Sequence, residues 1–264
     1  MSDRPSPNEV ARYLQRIGFS GTPAVDLATL AELHRRHVET IPWECLDAFA
    51  GRPSTRDPRQ AFDKIVGQGR GGWCYEMNGL FAWMLEGLGF DVTRLAAGVM
   101  RNVMGDAAAI GNHLLLIVRL DRDYVADVGL GSGLIEPIPL AEGGYTQRFA
   151  SYRLERLDGR WWRFHNQPHV MPPSFDFALD LRDETLLEGR CRWLQTDRAS
   201  PFVNNAVVQR YGPDRLDSLA GTMLTRIDAD AYDRALRDVF GLALPHAPDL
   251  WAKARAAAPL LEDA

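Results

Sequence analysis

The chain has 264 residues, 46% of them hydrophobic and 25% charged, with a net charge of −5. That length holds two or three compact modules and buries a core without covalent staples. The acidic balance, the lack of a polybasic run and the lack of any apolar run near about 18 residues exclude nucleic acid and membrane as expected partners.

Three widely spaced cysteines, Cys45, Cys74 and Cys191, form no CxxC motif and read as reduced thiols. The N-terminal MSDRPSPNEVARYL has no apolar leader region. Both features place the protein in the cytoplasm as an expectation.

Pro7 and Asn8 open a first helical segment in which Val10, Tyr13, Leu14 and Ile17 share a face, with Gly18 at its end. Asp26 precedes a second, with Leu27, Leu30, Leu33, His34 and His37, stopping before Pro42. A third helix is expected over Pro58 to Val66. The glycine-rich GQGRGG (67–72) then turns into CYEMNGLFAWMLEGLGF, where Met77, Leu80, Phe81, Met84, Leu85 and Leu88 form the strongest helical stripe of the chain. Gly87 and Gly89 are the expected stop signals.

From about residue 91 the period changes. VTRLAAGVM, HLLLIVRL, YVADVGL, YRLERL and RWWRFH read as strands, with turns at 121–123 and 158–159. A mostly antiparallel sheet or barrel over 91–205 is the expectation. A final helix, ADAYDRALRDVF, capped by Asp228 and followed by Gly241, is expected near the C-terminus. No internal repeat or low-complexity linker marks a domain edge.

Cys74 has the setting of a nucleophile. It sits at a helix start, where unpaired N–H groups and partial positive charge favour a thiolate. Arg70 lies four residues before it, and Gly71 and Gly72 leave the backbone open to a substrate. The same N–H groups suit a tetrahedral oxyanion. A buried structural cysteine needs no such entry. Six histidines are available as a base. His113 opens one apolar strand and Asp127 interrupts the next, and the carboxylate would orient and charge-stabilise the imidazole. Whether both point to one face depends on a register that the sequence leaves open. In Gly129-Leu130-Gly131-Ser132-Gly133, the helix a dinucleotide fingerprint needs is missing. Gly131 and Ser132 there are either coenzyme contacts or a plain turn. His165 and His169 have a spacing seen in metal sites, but Pro168 and the lack of further ligands favour structural roles, so no metal is expected.

RGGWCYEMNGLF (70–81), the His before an apolar strand and ADVGLG (126–131) resemble the arylamine N-acetyltransferase family. YLQRIGFSG (13–21), LATLAELHRRHVETIPWECLD (27–47) and SPFVNNAVVQR (200–210) extend the resemblance over roughly residues 8–210. It implies an α+β fold: a helical bundle with Cys74 (1–90), an antiparallel β-barrel with His113 and Asp127 (91–205) and a C-terminal α/β lid (206–264), in a papain-like Cys-His-Asp arrangement. It implies ping-pong acetyl transfer from acetyl-CoA, a co-substrate rather than a bound cofactor, through a Cys74 thioester to an aromatic amine or hydrazine. It also implies a supporting Arg70–Glu44 pair behind the nucleophile. Trp43 and Cys45 stand where the family has Phe and Asn, and Leu130 stands where a Phe floors the acceptor pocket. Trp43, Leu130, Gly131 and Ser132 are therefore the expected substrate and coenzyme contacts. Two rival readings remain: an amide synthase fed by an acyl carrier protein, and a cysteine hydrolase.

Overall fold

The computed structural model describes residues 4–168, 170–220 and 223–227. The expected helix over 229–240, its Asp228 cap and Gly241 lie outside the described residues, as does His169.

Helix α1 (Pro7–Arg16) starts where Ser6 and Glu9 cap each other reciprocally. The chain leaves it through Gly18, at a φ of 67°. Helix α2 (Leu27–Thr40) is capped by Asp26, which accepts the Thr29 N–H at 2.8 Å. Strand β1 (Trp43–Glu44) and helix α3 (Leu46–Phe49) follow. The expected third helix forms, but only α4 (Pro58–Phe62) is α-helical; its second half widens into a π-turn over Asp63–Gly67. Helix α5 (Cys74–Leu88) is buried almost all round, from Cys74 to Leu85. Its apolar face is thus wider than the stripe the spacing gave, and each large side chain buried there contributes about 1.5–3 kcal/mol. Gly87 lies inside α5 against Pro5, and only Gly89 stops the helix.

The strands expected from the sequence form. They are β2 (Asp91–Val99), β3 (His113–Arg119), β4 (Asp123–Ala126), β7 (Ala150–Arg156) and β8 (Trp161–His165), with short helices α6 (Arg101–Met104) and α7 (Asp106–Ala109) between β2 and β3. Strands β5 (Ile138–Pro139), β6 (Gly143–Gln147) and β9 (Ser174–Ala178) complete an eight-stranded antiparallel sheet, in the order β5-β4-β3-β2-β9-β8-β7-β6. The sheet curls into a nearly closed barrel. No ladder joins its edges β5 and β6, but side chains bridge them. Gln147 accepts from the N–H groups of Ile135 and Glu136 and donates to the Glu136 carbonyl, while Tyr145 donates to the carbonyls of Pro139 and Ala141. This satisfies polar groups that an open edge would expose.

The segment 184–204, expected within the sheet region, is helical. Helix α8 (Glu184–Thr196) and helix α9 (Pro201–Asn204) pack back onto the start of α5. Strands β10 (Val207–Tyr211), β11 (Leu216–Ala220) and β12 (Met223–Ile227) form a second antiparallel sheet. It recruits β1 from the N-terminal region, with Trp43 opposite Gln209. One large core joins α1, α2 and α5 to the barrel wall. A smaller cluster surrounds Trp73, Cys74 and Tyr75 with Leu187, Cys191 and Leu194 of α8.

Candidate active site

Cys74 is the first residue of α5, and the turn before it is crowded. A Cβ on Gly71 would lie 2.0 Å from the Pro42 carbonyl oxygen, so only glycine lets the chain pass. On the far side, a Cβ on Gly129 would lie 2.4 Å from Asn78 Nδ2 and 2.9 Å from the Cys74 Cα. The glycine after Asp127 thus allows the β4 exit to press against the nucleophile helix.

The register question has a definite answer. Leu116 pairs with Ala126 and Arg119 with Asp123. Continuing that count, Asp127 falls opposite Leu115 and diagonal to His113 on the same face. Asp127 is the first residue beyond β4. His113 Nε2 donates to Asp127 Oδ2 at 2.8 Å. Nδ1 is then the ring nitrogen left for Cys74, which lies close enough to the imidazole to raise its pKa. The S–H is also 3.8 Å from the Asn112 carbonyl oxygen. His113 and Asp127 therefore meet, with Cys74 on the imidazole side of the pair. All are buried: Cys74 is 4%, His113 1% and Asp127 1% exposed.

Asp127 is surrounded by donors. Besides His113, its Oδ1 accepts from Asn78 Nδ2 at 2.7 Å and from the Gly129 N–H at 2.9 Å. Burial alone would raise its pKa. The nearby imidazolium and these hydrogen bonds outweigh burial and hold the carboxyl below the usual range. Burial likewise opposes charge on His113, but the Asp127 charge and hydrogen bond, then the Cys74 contact, lift the ring to about 10. The site thus favours an imidazolium beside the sulfur. The Phe175 ring, 5.3 Å from the imidazole centroid, packs against it.

Three supporting side chains were not singled out from the sequence. Asn78 donates to Asp127 and to the Leu114 carbonyl at 2.6 Å, and accepts the Val128 N–H at 3.0 Å. It stands four residues after Cys74, hence on the same helix face, which was the available signal. His34 lies in the apolar run of α2. Its Nε2 accepts the Asp127 N–H at 3.1 Å, and Nδ1 donates to the Ile135 carbonyl at 2.9 Å. Burial pushes its pKa down to about 4, so it serves as a neutral ring of fixed tautomer. Tyr75 donates to the Gly111 carbonyl at 2.7 Å and secures the chain just before His113.

The expected Arg70–Glu44 pair is present, with Arg70 Nη2 2.7 Å and Nε 3.0 Å from Glu44 Oε1. Trp43 Nε1 donates to the Gly129 carbonyl at 2.7 Å, and its ring meets Phe202 of α9. Leu130 is buried and Gly131 is wedged between Trp43 and Gln209, so Trp43, Leu130 and Gly131 are neighbours in the loop beyond Asp127. Ser132 is turned away. It is 0% exposed, its hydroxyl donates to the Met171 carbonyl and it accepts from Asn166. Leu134–Pro137 forms no helix after the glycines, in keeping with the rejection of a dinucleotide fingerprint. Among the described residues no group of three or more metal-ligating side chains occurs. No helix among them is long and apolar enough to cross a membrane.

Comparison with known proteins agrees with this geometry. A family model described as N-acetyltransferase matches residues 26–245. The pineal gland arylamine N-acetyltransferase isozyme NAT-3 of Gallus gallus is 32% identical, over 85% of this chain and 85% of that protein. The solved arylamine N-acetyltransferase of Salmonella typhimurium superposes with a TM-score of 0.76 at 25% identity, covering 96% of this chain and all of that one. That of Mycobacterium marinum, solved in complex with CoA, gives 0.73 at 27% identity, covering 93% and 97%. Sequence, barrel and the His113–Asp127 pair on the side of the helix that starts at Cys74 point the same way: this chain belongs to the arylamine N-acetyltransferase family.

Proposed function

We propose that the protein transfers an acetyl group from acetyl-CoA to an aromatic amine or hydrazine, with Cys74 as nucleophile, His113 as proton carrier and Asp127 as the group that orients the ring. The observation that carries this is the 2.8 Å His113–Asp127 bond beside a thiol at a helix start. In the resting site the thiol proton resides on His113, leaving a thiolate paired with an imidazolium. The sulfur attacks the thioester carbonyl, and the N–H groups at the start of α5 face the oxygen that becomes negative. The tetrahedral intermediate collapses by breaking the bond to the coenzyme sulfur, which takes the His113 proton and leaves as CoA. The amine then attacks the acetyl-Cys74 carbonyl and gives a proton to His113. Expulsion of the Cys74 thiolate releases the amide and restores the ion pair.

Arg70 and Glu44 support the turn before Cys74, since removing either would strand the other's charge. Trp43, half-buried at the mouth of the glycine loop, is the expected substrate contact with an open face, whereas Ser132 acts in the loop's internal bonding. Three free, buried cysteines support residence in the reducing cytoplasm. No observation favours a carrier-protein donor over acetyl-CoA.

Initial rates with acetyl-CoA and an aniline as the two varied substrates test the reading. Parallel double-reciprocal lines are expected from a covalent acetyl-enzyme. Intersecting lines would mean direct transfer between two bound substrates and would remove Cys74 from the path.

A further inference from the structure

Behind the nucleophile lies a charged cluster larger than the Arg70–Glu44 pair. Lys64, in the π-turn after α4, places Nζ 2.7 Å from Asp47 Oδ2 and 2.8 Å and 3.0 Å from the two Glu76 oxygens. Arg70 reaches both Glu44 and Asp47. Glu76 is 2% exposed and is the third residue of α5, where it accepts the Trp73 N–H at 3.4 Å, one residue before Cys74. The Lys64 carbonyl also receives the Arg70 N–H at 3.2 Å, so one residue organises both halves of the cluster. The cluster borders a cavity of about 420 Å³.

The charges do not balance. Among the ion-paired members three carboxylates, Glu44, Asp47 and Glu76, meet two cations, Lys64 and Arg70, and Arg52 lines the same cavity without an ion pair to them, so the paired groups carry one net negative charge at the helix end where a thiolate must form. A buried carboxylate two residues from the nucleophile, in the same first turn of α5, disfavours a thiolate there unless a cation cancels its charge. We propose that Lys64 is a positioning residue for the reaction. It keeps Glu76 ionised as the cap of α5 while cancelling its charge, and so lets Cys74 exist as a thiolate near neutral pH. Burial pushes the Glu76 carboxyl up and Lys64 opposes this, consistent with a cap that depends on its cation.

The other titratable groups that interact with Cys74 are His113 from the barrel, Tyr75 on α5 and Cys191 on α8; Asp127 and His34 lie behind His113, and Arg190, Glu188 and Arg56 lie about Tyr75 and Cys191. None of them changes in the variants below. This inference rests on the reading of Cys74 as the acyl carrier.

The test is the pH dependence of Cys74 alkylation by iodoacetamide, from roughly pH 5 to pH 10, with peptide mapping to separate Cys45 and Cys191. Full-chain wild type, Lys64→Met, Lys64→Arg, Glu76→Gln and the Lys64→Met/Glu76→Gln double variant are compared, with thermal unfolding in parallel. The midpoint should follow the cluster's charge. Lys64→Met moves it up by about one pH unit, or about tenfold slower labelling at neutral pH, Glu76→Gln moves it down, and the double variant and Lys64→Arg return toward wild type. A lower Tm with an unmoved midpoint in Lys64→Met overturns the proposal, as does a double variant no faster than the single. If Lys64→Met does not fold, an unmoved or raised midpoint in Glu76→Gln overturns it instead. Equal, slow labelling of all three wild-type cysteines would sink the nucleophile reading itself, which is a separate outcome.

Discussion

Two charged clusters flank one sulfur, and they differ in kind. On the barrel side, His113 and Asp127 are buried, and the carboxylate is held by an imidazole, an amide and a backbone N–H. On the helix side, Asp47, Glu76, Lys64 and Arg70 border a cavity, with Glu44 buried behind Arg70, which is itself 33% exposed. The first cluster is built so that a proton moves between defined atoms, which demands geometry fixed from several sides. The second moves no proton and sets a background charge, which tolerates partial solvation. Removing a member of the first should therefore cost rate, and removing a member of the second should shift a pH profile.

The largest expected effect is at the sulfur itself. Cys74→Ala should lower acetyl transfer by at least about 10⁴-fold while leaving thermal unfolding nearly unchanged, read by steady-state assay and calorimetry. Asp127→Asn should come next, at about 10³–10⁴-fold in kcat, because the ring loses its anionic partner and its tautomer is no longer fixed. If Asp127→Asn retained wild-type rate, the claimed distinction between the two clusters would collapse.

A smaller effect is expected at His34, which touches neither sulfur nor substrate. His34→Ala should destabilise by about 1–3 kcal/mol, because the Asp127 N–H and the Ile135 carbonyl lose their partner, with a modest fall in kcat. Denaturant titration checks this. Linkage gives a further test. His113 has a folded pKa of about 10, above its ordinary value. Its stabilising contribution is present in full below the unfolded value of about 6.5 and is lost as pH rises through about 10. In a Cys74→Ala background, which removes both the thiol titration and its share of the lift on His113, stability should still fall as pH rises above about 6.5 but over a narrower window, and His113→Asn should flatten the fall. Asp127, with a lowered pKa, stabilises above about 3.9 and loses that contribution as pH drops through its folded value. The smallest effect on function is expected at Ser132. Ser132→Ala should cost about 1 kcal/mol of stability without raising the KM for acetyl-CoA, since the hydroxyl is spent on Met171 and Asn166.

The same contrast explains what was legible in the sequence. Cys74, His113 and Asp127 could be found because each breaks a local rule: a thiol after RGG, a histidine on an apolar strand, an acid inside another. Their meeting could not, because strand register is set by pairing that a one-residue slip would undo. Asn78 carried a weak signal in its spacing from Cys74. His34 carried none, since a histidine on a helix's buried face looks the same whether it binds a backbone group or merely packs. Lys64 was hidden because its partners are 17 residues upstream and 12 downstream, joined only by the fold. Strand β9 and helix α8 escaped for a different reason. SFDFA is buried at every position, so no alternation shows, and α8 buries only Leu187, Cys191 and Leu194.

The most direct measurement is the intact mass of the protein after mixing with acetyl-CoA and no amine. The expected result is the gain of one acetyl group, mapped by peptide analysis to Cys74, discharged on adding an aromatic amine and absent in Cys74→Ala. An unmodified protein that still acetylates the amine, or an acetyl group on any other residue, would contradict it.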